Sequence, residues 1–126
     1  MATWADVRSF LASNYNIHTD NGDNIQLLFE LEGMRSQFVQ VWSMPYDMLW
    51  VISPVGPVNE VDGNKLLALT SSVDVSAGVR VIGDLVVTIH AMPMADLSID
   101  ELVEPMNRMM VCADALENAL GLGDRY

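Results

Sequence analysis

Apolar side chains recur at helical spacing in three parts of the chain. Trp4, Val7, Phe10 and Leu11 follow a Thr3–Asp6 pair typical of a helix start, which predicts an amphipathic helix over residues 4–14. A short helix is expected from residue 62 or 64 to residue 69. A long final helix is expected after the sequence Ser98 to Glu101, which has the pattern of a capping box, and it ends near residue 121.

Alternating apolar and polar positions predict five strands. Residues 25–31 alternate clearly, and similar runs cover residues 35–44, 48–53, 78–82 and 85–91. Pro54 and Pro57 are expected to end the third strand because proline cannot donate to a strand ladder. Pro105 predicts a kink in the final helix or a short separate first turn. In the last hairpin, Leu85, Val87 and Ile89 are the expected inward set.

The two faces of the three-stranded meander depend on its turns. A two-residue turn at Gly33 and Met34 would place Glu32 opposite Arg35 and Phe29 opposite Phe38, and a three-residue turn at 45–47 would pair Trp42 with Trp50. The core face predicted in this way carries most of the aromatic and methionine residues. Its members are Ile25, Leu27, Phe29, Leu31, Phe38, Trp42, Met44, Met48, Trp50 and Ile52.

The opposite face of the meander is predicted to carry an apolar stripe within a polar rim, as partner-binding surfaces do. The stripe consists of Leu28, Val39, Val41, Leu49 and Val51. Two interpretations stay open, a contact with another subunit or protein and coverage by the final helix or a loop of the same chain. Met109 and Met110 join the candidate interface residues, because consecutive residues cannot both face one core stripe.

The order of elements, α-β-β-β-α-β-β-α, excludes alternating βαβ units. It predicts an α+β fold with a mainly antiparallel sheet of about five strands and with the helices gathered on one side. The length of 126 residues is suited to a single domain, 1–126.

Charge and composition narrow the classes of partner. Seventeen acidic and six basic residues give a formal net charge of −11, which disfavours nucleic acid and anionic membrane surfaces. No apolar run approaches the roughly 20 residues of a membrane-spanning helix, and the N-terminus lacks the pattern of a signal peptide. A lone cysteine, Cys112, is consistent with a reducing compartment, so a cytoplasmic protein is expected.

Residues that carry chemistry are sparse. His18 and His90 stand without a nucleophile or an orienting group, and Cys112 has no neighbouring metal-ligand pattern. The polar run Asp20 to Asp23 lacks the spacing and the closing glutamate of a calcium loop. The sequence therefore predicts no catalytic residue, no metal and no cofactor, and it predicts that the protein is not an enzyme.

The order of elements resembles the YbjN family, small bacterial domains similar in fold to type III secretion chaperones. The residues that carry the resemblance are the run Lys65 to Leu69, the hairpin Gly78 to Val87 and the helix after Ala95-Asp96-Leu97. The resemblance implies a homodimer without known catalysis and with a role in regulation or in binding other proteins.

Two functions follow as hypotheses. The first is a non-enzymatic protein-binding adaptor, regulator or chaperone-like dimer with an unknown protein partner. The alternative is a sensor of a small apolar ligand, with a pocket between sheet and helices lined by Phe29, Trp42, Met48 and Trp50. An enzyme with a cleft around Tyr46, Asp47 or His90 is a distant third.

Overall fold

A computed structural model describes residues 2–31, 35–71 and 77–122 of the chain. The elements in these ranges are α1 (Trp4–Asn14), β1 (Ile17–Asp20), β2 (Asn24–Leu31), β3 (Arg35–Met44), β4 (Met48–Pro57), α2 (Gly63–Leu69), β5 (Gly78–Ile82), β6 (Leu85–Pro93) and α3 (Val103–Ala119). Short 3-10 helices cover Val58–Glu60 and Ile99–Leu102. The predicted helices and hairpins are therefore present.

All neighbouring strands pair antiparallel, in the order β1-β2-β3-β4-β6-β5. The described part of the sheet has one strand more than predicted, because β1 lies outside the five runs that the alternation predicts as strands. The polar residues before β2 form only a tight turn, in which Gly22 has a φ of +89° and its amide donates to Asp20 Oδ1 at 2.9 Å. The α+β antiparallel fold is confirmed, and the strand count is corrected.

The first helix is capped as predicted and is held to the β1–β2 turn. Thr3 Oγ1 accepts from the Asp6 amide, and Asp6 Oδ2 accepts from the Thr3 amide. Trp4 Nε1 and Arg8 Nη1 both donate to the Gly22 carbonyl oxygen at 2.8 Å. These bonds place α1 over one end of β2.

The start of the last helix differs in part from the prediction. No side-chain cap is formed by Ser98, whose hydroxyl instead donates to Asp100 Oδ1 at 2.6 Å and holds the pKa of that carboxyl below its usual value. The predicted capping box is therefore wrong. The predicted separate first turn is confirmed as the 3-10 helix before α3, and Pro105 lies in the first turn of α3, where a missing amide hydrogen breaks no helical bond.

The register of the first long hairpin is one residue away from the prediction. Leu31 is opposite Arg35, so Leu28 is opposite Phe38 and Phe29 is opposite Gln37. The predicted pair of Glu32 with Arg35 falls outside the described residues and side chains. A slip of one residue turns every side chain of a strand to the other face. The next turn is as predicted, with Met44 opposite Met48 and Trp42 opposite Trp50.

The consequence is an exchange of faces in β3 and β4. The face packed against the helices carries Ile25 and Leu27 of β2 together with residues of the predicted interface stripe. Val39, Val41, Leu49 and Val51 each have 0% exposure and share a core cluster with Met106 and Met109 of α3. Of the two interpretations of these residues, coverage by the final helix of the same chain is the one that the structure shows, so these four residues do not line an accessible face.

The last hairpin is also turned over relative to the prediction. Val86 and Thr88 face the helices, whereas Leu85, Val87 and Ile89 belong to the other face of the sheet. Val86 joins a second core cluster with Val55, Leu66 of α2 and Leu116 of α3. All three helices therefore pack on one face, as the order of elements predicts.

Strand β4 does not end at Pro54 as predicted but continues to Pro57. Beyond Ile52, side chains supply hydrogen bonds between β3 and β4. Ser53 Oγ donates to the Phe38 carbonyl oxygen at 2.6 Å, and Gln37 Nε2 donates to Ser53 Oγ at 3.0 Å and to the Pro54 carbonyl oxygen at 2.7 Å. These side-chain bonds hold β4 to β3 next to Pro54, whose backbone nitrogen has no hydrogen to donate.

Thr88 extends this polar arrangement to β6 and α3. Its hydroxyl lies within hydrogen-bond distance of the carbonyl oxygens of Ser53, at 3.2 Å, and Met109, at 3.0 Å. Gln37, Ser53 and Thr88, which we call the polar row, all have 0% exposure. Buried polar groups need such partners, because an unsatisfied one costs about 1–3 kcal/mol.

We expect Ser53→Ala to lower the free energy of unfolding by about 1–3 kcal/mol, because it leaves the Phe38 carbonyl and the Gln37 amide each short of a partner. Urea unfolding followed by circular dichroism measures the change. Ser9→Ala, on the exposed side of α1, is the matched control and should change it by less than about 0.5 kcal/mol. Equal effects of both substitutions would contradict the role of the polar row.

Because the two faces are exchanged, the protein should tolerate an aspartate at position 28 but not at position 51. Val51→Asp should lower the free energy of unfolding by about 4 kcal/mol or more, because it places a charge in the core beneath α3. Leu28→Asp, at a residue that is 39% exposed, should cost less than about 1 kcal/mol. Thermal unfolding compares them. A tolerated Val51→Asp would show that the face is not core.

Candidate functional site

The face of the sheet turned away from the helices carries several large apolar side chains, in two groups that Gln26 and Gln40 separate. We call this set the open face, and its members are Leu28, Phe38, Trp42, Met44, Met48 and Trp50. Each of them is partly or well exposed, and none belongs to either core cluster of the described residues. The residues predicted to form the core of the meander thus lie largely at its surface.

The two tryptophans of the open face are held by different polar neighbours. Trp42 Nε1 donates to Gln40 Oε1 at 2.7 Å, which fixes the edge of the ring to its own strand. The Arg80 guanidinium of β5 lies 4.5 Å from the centre of the Trp50 ring. This is a cation–π contact, in which the positive charge meets the negative face of the ring.

Neighbouring side chains also shape the rest of the open face. The His18 ring on β1 lies 5.1 Å from the Phe38 ring, which is directly opposite Leu28. Ile52 is only 2% exposed although it belongs to this side of the sheet, between Gln40 of β3 and Ile89 of β6. The open face therefore combines its partly exposed apolar side chains with the buried Ile52 and with the polar side chains of Gln26 and Gln40.

Carboxylates stand at both ends of the open face. Asp23, in the β1–β2 turn, precedes Asn24, which is opposite Trp42, and Asp47 lies in the β3–β4 turn at the same end of the sheet. Glu30 and Asp84 lie toward the opposite end. All four residues are exposed. An apolar centre between acidic ends favours a partner that is both apolar and basic.

The seven residues predicted to form an interface are not brought together. Leu28 is on the open face, whereas the four residues of β3 and β4 lie in the core. Met109 is 1% exposed within the same core, and Met110 is partly buried at its margin. The two methionines differ in burial, as expected for consecutive residues of a helix. Neither lies near the open face, because α3 packs on the other side of the sheet.

The predicted ligand pocket between sheet and helices is not formed by its four residues. Phe29 faces the helices and packs edge-to-face on Tyr15, with ring centres 5.5 Å apart. Trp42, Met48 and Trp50 lie on the open face. Grooves do occur elsewhere, such as one of about 490 Å³ beside the end of β2, whose wall includes Tyr15. Burial raises the pKa of the Tyr15 phenol above its ordinary value of 10.0.

The histidines lie far apart in the sheet, on β1 and β6. His90 borders a groove of about 260 Å³ together with Asp96 and Glu101, whereas Tyr46 and Asp47 are exposed in a turn, both with positive φ. Cys112 is buried in α3. Within the described ranges, no three or more His, Cys, Asp or Glu residues are grouped so that they could hold a metal ion.

A search of the described helices for a membrane span finds none that is long and apolar enough.

Comparison with known proteins identifies the fold. A chain in the structure described as "Structure of the HopA1-SchA Chaperone-Effector Complex" is 15% identical, with a TM-score of 0.58 and 87% of each chain covered. A chain in "Crystal Structure of the ExsC-ExsE Complex" is 7% identical, with a TM-score of 0.60 and 90% of each chain covered. At these identities the likeness establishes the fold alone, and it confirms the predicted resemblance to type III secretion chaperones in architecture.

No model of a known protein family matches the chain, and no curated protein matches it. Membership of the YbjN family therefore stays a prediction.

The open face could have been found in the sequence from the valines of β3 and β4. Val39, Val41 and Val51 are β-branched residues that resemble the buried Ile25 more closely than the tryptophans do. The large size of tryptophan and methionine favoured them as core residues. A three-residue connection between β2 and β3 would have exchanged the two assignments.

We expect Arg80→Gln to expose the Trp50 ring and to lower the free energy of unfolding by about 0.5–1 kcal/mol, because the cation–π contact is lost. Acrylamide quenching in a chain with Trp4→Phe and Trp42→Phe reports on Trp50 alone. Lys65→Gln, on α2, removes the same charge from the other side of the sheet and is the control. Quenching that increases equally in both variants would contradict the contact.

Proposed function

We propose that this chain is a non-enzymatic, chaperone-like module that binds a segment of another protein on its open face. The observation that carries the proposal is the partly exposed aromatic and methionine layer on the side of the sheet away from the helices. An apolar layer of this kind is costly in water unless a partner covers it. Flexible methionine side chains also adapt to partners of different shape.

The fold supports the same proposal by analogy. The two solved structures compared above are complexes, and one of them is described as a chaperone bound to an effector. A shared fold does not transfer a function, so the argument depends on the surface of this chain. The predicted sensor pocket is not proposed again, because its residues lie on two different faces.

We include in the proposal that the protein acts as a homodimer in the cytoplasm. The dimer rests on the resemblance to chaperone-like domains, and the compartment rests on the single buried thiol and the acidic composition. The open face and the helix layer lie on opposite sides of the sheet, so a dimer contact on the helices would leave the open face accessible to a partner.

Site-specific photo-crosslinking in cells of the native host tests the proposal. A photoreactive phenylalanine analogue at position 28 or 44, on the open face, should give adducts with another protein, because these side chains would lie within the contact. The same analogue at position 111, on the exposed side of α3, is the matched control and should give little adduct with any protein other than a second copy of this chain. Denaturing gels and mass spectrometry identify the adducts.

Four results would contradict parts of the proposal. Equal adducts with another protein from all three positions, or no adducts from positions 28 and 44, would show that the open face is not a specific protein-binding surface. Adducts that contain only this chain would make the open face a self-association surface. Light scattering should give twice the 13.9 kDa mass of one chain, and a mass of one chain would overturn the dimer.

A further inference from the structure

We infer that the open face is built for a basic, apolar segment of a partner protein, and that an arginine or lysine of this segment stacks on the Trp42 ring, at the end of the sheet that carries the exposed carboxylates of Asp23 and Asp47. The inference rests on the proposed function, since it names the chemistry of the segment bound at the same surface. It is carried by the contrast between the two tryptophans and by the distribution of charge around them.

The Trp50 ring shows that the open face can bind a cation. This ring already has a cation of the same chain above it, the Arg80 guanidinium at 4.5 Å from the ring centre. Arg80 is exposed on the edge strand β5 and reaches across β6 to the ring. Tryptophan is the aromatic side chain that binds cations best, because its ring has the most negative face.

Trp42 also lies on the open face, but its ring has no counterpart of Arg80 among the described residues. It lies directly opposite Trp50 on β3 and is partly exposed, and no described basic side chain stacks on it. Its ring is already fixed through the bond from Nε1 to Gln40 Oε1 at 2.7 Å. A fixed ring loses little conformational freedom when a partner side chain stacks on it, which favours binding.

Asp23 adds a negative charge at the same end of the sheet. The Ser43 amide donates to the Asp23 carbonyl oxygen at 2.8 Å, so Asp23 lies opposite Ser43, next to the pair of Asn24 and Trp42. Its carboxylate accepts from Asn24 Nδ2 at 3.0 Å and is exposed. A cation stacked on Trp42 would therefore lie at an end of the sheet where the exposed carboxylates of Asp23 and Asp47 attract positive charge, and this longer-range attraction would add to the stacking.

The charge of the whole chain points to the same class of partner. With a formal net charge of −11, the protein attracts basic segments at long range and repels acidic ones. Leu28, Met44 and Met48 supply apolar contacts around the tryptophans. A segment that alternates apolar and basic residues satisfies both features, because in an extended chain all the residues of one kind lie on the same side.

Calorimetric titration with a matched pair of peptides tests the inference. The first peptide alternates leucine and arginine, and the second has citrulline, an uncharged analogue of similar shape, in place of each arginine. We expect the arginine peptide to bind more tightly at low salt. Trp42→Leu should weaken its binding about fivefold and should affect the citrulline peptide less, because only the cation responds to the loss of the ring.

Two carboxylate variants complete the experiment. Asp23→Asn keeps the acceptor for Asn24 and should weaken binding of the arginine peptide about two- to threefold. Glu101→Gln removes the same charge on the helix side, in the 3-10 helix before α3, and should have a smaller effect. If circular dichroism shows that Trp42→Leu does not fold, the comparison of Asp23→Asn with Glu101→Gln still tests whether the binding depends on the charge at this end of the sheet.

The outcomes separate this inference from the proposed function. If both peptides bind equally, or if Trp42→Leu weakens both by the same factor, the open face binds apolar segments and the cation site is overturned. If Asp23→Asn and Glu101→Gln act alike, the attraction comes from the overall charge and the assigned site is also overturned. If neither peptide binds while crosslinks from positions 28 and 44 persist, the cation site fails and the proposed function stands.

Discussion

Hydrogen bonds of the polar row tie three strands and the longest helix together in the interior. Gln37 belongs to β3, Ser53 to β4 and Thr88 to β6, and the Thr88 hydroxyl also reaches a carbonyl oxygen of α3. These side chains are fully buried, so any arrangement that separated them would leave polar groups without partners. The polar row therefore favours a single register among the central strands.

The register in turn decides what the helices cover. With Gln37 opposite Phe29 on the helix side, the valines of β3 and β4 must pack against α3, and the tryptophans must face outward. The polar row lies between the two core clusters, of which one involves α1 and the other α2. It supplies hydrogen bonds between β3 and β4 beside Pro54, which cannot donate, and β4 continues to pair with β6 as far as Pro57.

The composition of the outward face of the sheet follows from the same register. The aromatic and methionine side chains that the sheet turns outward form an apolar layer, and the turns at both ends add carboxylates. Arg80 on Trp50 shows that this layer accepts a guanidinium. The chains of the two solved complexes share only the fold, so the proposed binding role rests on this layer and on the charges around its two tryptophans.

Local patterns in the sequence were sufficient for the elements, their order and the fold class. Helical spacing, the Thr3–Asp6 cap and the alternation in each strand are properties of neighbouring residues, and the order of helices and strands excludes a parallel sheet. Only β1 was missed, because a strand of four residues among asparagines and aspartates has little apolar pattern. The extension of β4 past Pro54 depended on side chains of another strand.

The tertiary structure alone decided which face of the sheet is core. Alternation fixes the sides of residues within one strand, but the relation between two strands depends on the length of the turn that joins them. One residue more in the connection between β2 and β3 reverses the side of every later residue in the meander. Both faces of this meander are apolar, so alternation alone could not select one. The β-branched valines favour the observed face, and burial of the polar row and coverage by α3 decide it.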